Sequence, residues 1–425
     1  LRALRQFPGL TTIHDIGLFY LYELERPGID AMLAEMERAT PRLAPTYGRH
    51  WKQLGIKTGA NYALFDMQRE LLAGSSGVVV HSHFAKAKLS AIYGEAATRH
   101  VSVIPHFAPP LNMAGQQEAR QKLGLPQDAF IVTTSGFATQ AKRFDWLMQA
   151  LEEILATGTE LIWVHAGEER PSEYALSAEL RQYPLLRERA RFTGYIDEDT
   201  LNAQISACDV LVNLRFPSVG ESSGSLARAF SAGRCCLVTD TASYRELPRD
   251  AVVHLPVLNP VPALVAALTA LRSDPELLRG IGENARRFAH GPLSLEVVGR
   301  QYRDAIEATA EAAMSRPGLL PRPKPPATLP CLTVDGTAGL NRQAISRLLH
   351  GQDGSCQILL RFGSLQDIAH ASQRQAPLLR GLLPEHARLV DMRVLSGSGG
   401  DTLLPPDIAR QCGILLQLDL SGARA

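Results

Sequence analysis

Between residues 130 and 240 five apolar runs alternate with helical stretches: FIVTTSG (130–136), LIWVHAG (161–167), RFTGYI (191–196), DVLVNLR (209–215) and CCLVTD (235–240). A strand with one wet face alternates apolar and polar residues, whereas these runs are nearly continuous, so both of their faces are buried. The β-α alternation then predicts a parallel sheet covered by helices. TTIH (11–14), GVVVHS (77–82) and VSVIPH (101–106), with FAKAKLSAIY between the last two, predict strands of a further α/β unit, and APPLNMAG (108–115) reads as the connector. Two such units imply a cleft, with ligands at the carboxyl ends of the strands.

Composition narrows what could bind there. Forty-four Lys and Arg against 43 Asp and Glu leave a formal charge of +1, which gives no global field to recruit nucleic acid or an anionic membrane. The six cysteines, Cys208, Cys235, Cys236, Cys331, Cys356 and Cys412, form no C-x-x-C pair and lack histidines at zinc spacing, so they read as buried thiols of a reduced compartment. No run of about 18 apolar residues is present, and LRALRQFPGLTTIHD lacks a signal-peptide core. The expectation is a cytoplasmic protein, with peripheral attachment at the inner membrane face left open.

The stretch FPSVGESSGSLARAFSAG (216–233) lies between the strand DVLVNLR and the helix SLARAFSA. Ser222 and Ser223 suit an N-cap, Gly224 permits close backbone approach, and Gly233 suits the position after the helix. Free N–H groups at the helix start favour a phosphate. Glu221 would repel that phosphate and fits hydroxyl groups of a sugar instead. Taken alone, the stretch is as consistent with a simple cap as with a site. In FIVTTSGFATQAKRFDWLMQAL, Gly136 ends a strand, and Lys142 and Arg143 are expected in the first turn of the next helix, where they oppose its dipole. A bound diphosphate would account for them; a solvated basic pair is the plainer alternative.

With GFATQAKR (136–143), ACDVLVNLRFPSVGESSGSLARAFSAGRCCLVTD (207–240), YRELP (244–248), TTIHDIG (11–17) and VVVHSHFAK (78–86), the sequence resembles glycosyltransferase family 4, retaining nucleotide-sugar-dependent enzymes of GT-B architecture. The likeness runs over roughly residues 7 to 313 and is most similar to a bacterial branch that writes GESSG. It implies a donor-sugar contact for Glu221 and donor-diphosphate contacts for Ser222, Ser223, Gly224 and Ser225. Lys142 would neutralise the diphosphate beside Gly136, His14 would lie near the reacting sugar with Asp15 orienting it, and Glu246 would lie near the nucleotide. Two positions depart from the family pattern: Arg228 stands in place of the second glutamate, a ribose ligand, and Phe137 in place of an arginine, leaving Arg143 or Arg215 to clamp the diphosphate. The expected basic residues can neutralise a diphosphate by themselves, so no metal or other cofactor is expected.

The implied fold class is α/β and GT-B-like, with two doubly wound Rossmann-like domains and a C-terminal α/β segment. Residues 1–125 would form a partial amino-terminal, acceptor-side domain, incomplete or permuted because few strands precede TTIHD. Residues 126–315 would form the nucleotide-sugar-binding domain and 316–330 a Pro-rich linker. CLTVDGTAGLNRQAISRLLHG, CQILLRF, ARLVDMRV and GILLQLDL, within 331–425, resemble the opening half of a GT-B amino-terminal domain, either completing the first domain or beginning another module. An unrelated α/β appendage is the alternative. The expected activity is transfer of a sugar from a nucleoside diphosphate to a glycan or lipid-linked acceptor in bacterial surface polysaccharide synthesis, with no nucleic-acid partner. A catalytically inactive GT-B module that binds a glycan or a protein partner is the competing expectation.

Overall fold

A computed structural model describes residues 4, 8–25, 28–40, 44–55, 64–110, 115–314, 330–335, 342–352, 354–364, 367–368, 383, 387–396 and 406–420. The chain divides into two compact units, Leu1–Pro317 and Gly318–Ala425.

In the first unit, β1 (Leu10–Thr12), β2 (Gly77–Val80) and β3 (Val101–Val103) form a parallel three-stranded sheet in chain order. Val78, Val79 and Val80 are fully buried, as continuous apolar runs require. Helix α1 (His83–Tyr93) follows β2 and is capped by Ser82, whose side chain accepts from the Ala85 amide at 3.1 Å. Leu89 and Ala85 of α1 pack with Ile13, Ile16, Val80 and Val101 in one core.

The second sheet has six parallel strands: β4 (Ile131–Ser135), β5 (Ile162–Ala166), β6 (Ala190–Phe192), β7 (Val210–Asn213), β8 (Cys235–Thr239) and β9 (Val253–Leu255). Their spatial order is β6-β5-β4-β7-β8-β9, so the direction of winding reverses between β4 and β7. At such a reversal the loops leaving two neighbouring strands diverge to opposite faces and open a crevice, the ordinary ligand site of a doubly wound sheet. Helix α2 (Phe144–Ala156) covers one face with Phe144, Leu147, Met148, Leu151 and Ile154, the period-3.6 stripe read from the sequence. On the other face, α3 (Glu198–Ala207) and α4 (Gly224–Ser231) contribute Ile205, Leu226 and Phe230. Helix α5 (Leu295–Met314) returns to the first sheet, where Val298 packs against Val79 and Ile104.

The second sheet is tied to its approach segment by a buried ion pair, Arg120 to Asp209 at 2.7 Å. Asp209 also accepts from the Ile131 amide at 2.7 Å, so one carboxylate joins that segment to the starts of β4 and β7.

The second unit has its own four-stranded sheet: β10 (Cys331–Asp335), β11 (Ser355–Arg361), β12 (Arg388–Ser396) and β13 (Cys412–Asp419), in the order β10-β11-β13-β12. The first pairing is parallel, with α6 (Arg342–Leu349) between the strands; the other two pairings are antiparallel. Among the described residues these four strands pair with one another. Ile345 and Leu349 of α6 share a core with Ile358, Leu360, Ile414 and Leu416. The Pro-rich linker up to residue 329 and most of the DGTAGLNR stretch lie outside the described residues.

Candidate functional site

The site lies in the first unit, at the crevice between β4 and β7. After β4 the chain turns at Gly136, whose φ of +78° suits glycine; a Cβ there would sit 2.9 Å from the Lys142 ammonium. A short 3-10 turn, Gln140–Lys142, follows, and Arg143 takes a left-handed conformation at φ 52° before α2 begins. Lys142 and Arg143 therefore precede the helix, rather than occupying its first turn as the sequence suggested, because Arg143 itself is left-handed and helical geometry begins only at Phe144. Lys142 Nζ donates to the Ser135 carbonyl at 2.6 Å. Burial, and secondarily the Arg215 guanidinium, push its pKa down to about 6. No carboxylate pairs with it among the described residues. Arg143 is turned elsewhere, pairing with Asp145 and lying 4.2 Å over the Trp146 ring.

The loop after β7 carries Arg215 and Glu221. Arg215 donates its amide to Thr239 Oγ1 at 2.7 Å, and its Nε lies 3.6 Å from Glu221 Oε1. Glu221 Oε2 accepts from Ser218 Oγ at 3.0 Å and from the Val219 and Gly220 amides at 2.9 and 3.1 Å. One oxygen thus holds its own loop in shape, and Oε1 is left beside Arg215. Ser223 is the residue that caps α4, accepting from Leu226 N at 3.3 Å and donating to Asn213 Oδ1 at 3.2 Å. Ser222 precedes the cap, and Gly224 and Ser225 open the helix. Arg228, one turn along, points to α3, where it donates to Asn202 Oδ1 at 2.9 Å and pairs with Glu198 at 2.8 Å.

The opposite wall comes from the first sheet. Each of its three strands leads into a histidine: His14 after β1, His81 after β2 and His106 after β3. The rings gather at the mouth, with His14–His81 centroids 5.0 Å apart and His81–His106 centroids 5.5 Å apart. His81 Nδ1 lies 2.8 Å from the Ile104 carbonyl and its Nε2 2.9 Å from His14 Nδ1. Burial, followed by the neighbouring imidazoles, depresses the His81 pKa to about 4, so the ring is neutral. Burial also lowers His106. Asp15 is raised, first by burial and then by Glu221 across the cleft.

The walls touch at Gly220, which has φ +104°; a Cβ there would press on Ile16 and Phe84 at 3.3 Å. Lys88 of α1 reaches the Val219 carbonyl at 3.4 Å. Glu246 accepts from the His83 and Phe84 amides at 2.9 and 2.5 Å, so a carboxylate of the second half caps a helix of the first. Between the walls lies a cleft of about 170 Å³ lined by His81, His106, Glu221, Ser222, Tyr244 and Glu246. A hollow of about 360 Å³ in the first half is lined by His14, Asp15, Leu18, Tyr20 and Leu71.

Glu221, Ser222, Ser223 and Glu246 thus line the cleft, Lys142 and Arg215 interact beside Gly136 where β4 ends, and His14 lines the hollow of the first half. Arg143 is engaged by Asp145 and Trp146, and Arg228 by Glu198 and Asn202, with its charge still felt at His106. His81, His106 and Lys88 were not singled out from the sequence. The histidines were visible in outline, since GVVVHS and VSVIPH each end in one. Lys88 carried no signal, because its partner loop lies 131 residues away. Among the described residues no group of three His, Cys, Asp or Glu side chains is placed to hold a metal ion, and no helix is long and apolar enough to cross a membrane.

Residues 129–274 match the family described as Glycosyl transferases group 1. The lipopolysaccharide core biosynthesis glycosyltransferase LpsD of Rhizobium meliloti (strain 1021) is 29% identical over 220 residues, covering 49% of this chain and 58% of LpsD. The chain thus spans under two thirds of that relative's length. Among solved structures, sucrose-phosphate synthase from Thermosynechococcus elongatus superposes with TM-score 0.53 at 20% identity, covering 70% of this chain and 68% of that one. HepE from Anabaena, in complex with UDP and glucose, gives TM-score 0.53 at 16% identity over 71% and 72% of the two chains. WaaG, a glycosyltransferase involved in lipopolysaccharide biosynthesis, gives 0.50 at 16% identity over 71% and 75%. The architecture is GT-B, and the half that carries Lys142 and Glu221 is a glycosyltransferase domain.

Proposed function

We propose that this glycosyltransferase domain, working against the histidine-bearing half, moves a sugar from a nucleoside diphosphate to a glycan or lipid-linked glycan with retention of anomeric configuration. The observation that carries the reading is Lys142, a basic side chain without a carboxylate partner among the described residues, held by burial and Arg215 below its ordinary pKa at the β4–β7 crevice. A buried amine in that state takes up a proton and becomes a stable ammonium when an anion binds beside it. The α4 start offers backbone amides to the same anion, and Glu221 Oε1 with the histidine wall offers acceptors to sugar hydroxyls.

In the transfer, the bond from the anomeric carbon to the β-phosphate oxygen breaks and the electron pair leaves with the phosphate. A new bond forms from the acceptor oxygen on the same face, and the acceptor proton passes to the departing phosphate. Negative charge grows on the β-phosphate, and Lys142, Arg215 and the α4 amides are already in place to stabilise it. We infer that these cations serve without a metal. Likeness to LpsD supports an acceptor in lipopolysaccharide core assembly.

Incubating the chain with UDP-, GDP- and ADP-sugars and a lipopolysaccharide core oligosaccharide, with EDTA present, tests this. Transfer should appear with one donor and fall at least about a hundredfold in Glu221→Ala. A wild type that binds the oligosaccharide but transfers nothing would leave a glycan-binding module in its place.

A further inference from the structure

We propose that His81 is a positioning residue that fixes the tautomer of His14, so that His14, which lines the hollow of the first half, keeps a bare Nε2 as a hydrogen-bond acceptor. The proposal extends the sugar-transfer reading given above, but its geometry stands apart from it.

One chain of hydrogen bonds links the Ile104 carbonyl to His81 and His14. The Ile104 carbonyl can only accept, so His81 Nδ1, 2.8 Å away, must carry the proton. A neutral imidazole has a single N–H, which leaves His81 Nε2 as an acceptor, and burial keeps the ring neutral. His14 Nδ1, 2.9 Å from that nitrogen, must then be the donor. If His14 is also neutral, its Nε2 has a lone pair and no proton. The backbone just after β3 thus sets, through two rings, which nitrogen of His14 is free.

Free in solution, either nitrogen of an imidazole can carry the proton, so the arrangement imposes a choice. It has a consequence for the ligand. A bare Nε2 accepts from a hydroxyl and repels phosphate or carboxylate oxygen, and the neighbouring Asp15 carboxyl, itself raised by burial and by Glu221 across the cleft, adds no positive charge there. The histidine wall is therefore built for sugar hydroxyls, while the anion belongs to the Lys142 wall.

The test is nitrogen NMR of the full chain labelled at histidine, with His14 assigned by loss of its signal in His14→Gln. The wild type at pH 8 should show His14 protonated on Nδ1 and bare at Nε2. In His81→Asn, the amide can still donate to the Ile104 carbonyl, but no acceptor remains at the position of Nε2. His14 should then shift toward the Nε2-protonated form, with the melting temperature little changed. A wild-type His14 carrying its proton on Nε2, or the same tautomer in both proteins, overturns the proposal. Because His81→Asn can perturb folding, the wild-type spectrum alone is decisive against it. Transfer from UDP-glucose, measured on the same samples, separates the two readings: if the wild type transfers nothing, the functional reading fails while the tautomer result still stands or falls by itself.

Discussion

The two walls of the cleft are built from parallel sheets of similar design, yet they carry opposite polarity. The second half brings Lys142 and Arg215 to the crevice beside an α4 start with open amides. The first half brings three imidazoles, of which His81 and His106 are held toward neutrality by burial, and a carboxyl whose pKa is raised. A nucleotide sugar has the same division, with charge at the diphosphate and hydroxyls at the sugar. The comparison teaches that the cleft sorts its ligand by electrostatics before any single contact is made.

The largest effect is expected where the charged wall is fixed to its frame. Asp209→Ala would leave Arg120 buried without its partner and remove the acceptor for the Ile131 amide. A loss of about 3–5 kcal/mol in unfolding free energy is expected, measurable by urea denaturation. A loss below about 1 kcal/mol would mean that the wall does not depend on this network.

Next comes Lys142→Met, which removes the amine that becomes protonated beside a bound anion while keeping its apolar stem. Nucleoside diphosphate affinity should fall about a hundredfold, as a charge-assisted contact worth about 2–3 kcal/mol predicts, while the affinity of the parent nucleoside stays unchanged. Calorimetric titration would show it.

The pH dependence sharpens the same contrast. The free protein holds Lys142 with a pKa near 6. Below that value the ammonium is already charged, and above it a bound diphosphate, which raises the lysine pKa, must bring a proton with it. Between pH 7 and 9, where the diphosphate is already ionised, affinity should therefore fall by up to about tenfold per unit and level off at the pKa of the bound state. A flat profile in wild type, or the same slope in Lys142→Met, would take this lysine out of the anion site.

Arg228→Ala gives the smallest effect. Its guanidinium is committed to Glu198 and Asn202 on α3, so nucleotide affinity should change less than about threefold, within the range of an exposed pair. A larger loss would mean that the arginine swings into the cleft when ligand binds.

The same contrast explains what was legible in the sequence. The doubly wound sheet shows in the apolar runs from 130 to 240, and only β9 (Val253–Leu255), which lies beyond them, was missed. Gly136, Lys142 and Glu221 were legible because each follows a strand that could be read. The position of Arg143 before α2 was not, since a left-handed residue there breaks no propensity rule in the sequence. Long-range contacts were invisible for a different reason: Glu246 meets His83 across the cleft from 163 residues away, and His81 meets His14 within the histidine wall from 67. Local spacing carries no information about which loop ends share a cleft. In the second unit the parallel start was legible, whereas its antiparallel pairings were not, because strand runs alone do not give direction.

The central claim is that a nucleoside diphosphate is anchored through its phosphates at the Lys142 wall, and the most direct measurement is a thermal-shift titration with UDP, GDP, ADP and CMP, each beside its parent nucleoside. A ligand that binds only the folded chain must raise the melting temperature by mass action. The account predicts a rise with one nucleoside diphosphate that is absent with its nucleoside and lost in Lys142→Met. A rise that is equal for nucleoside and nucleotide, or that survives in Lys142→Met, would contradict it.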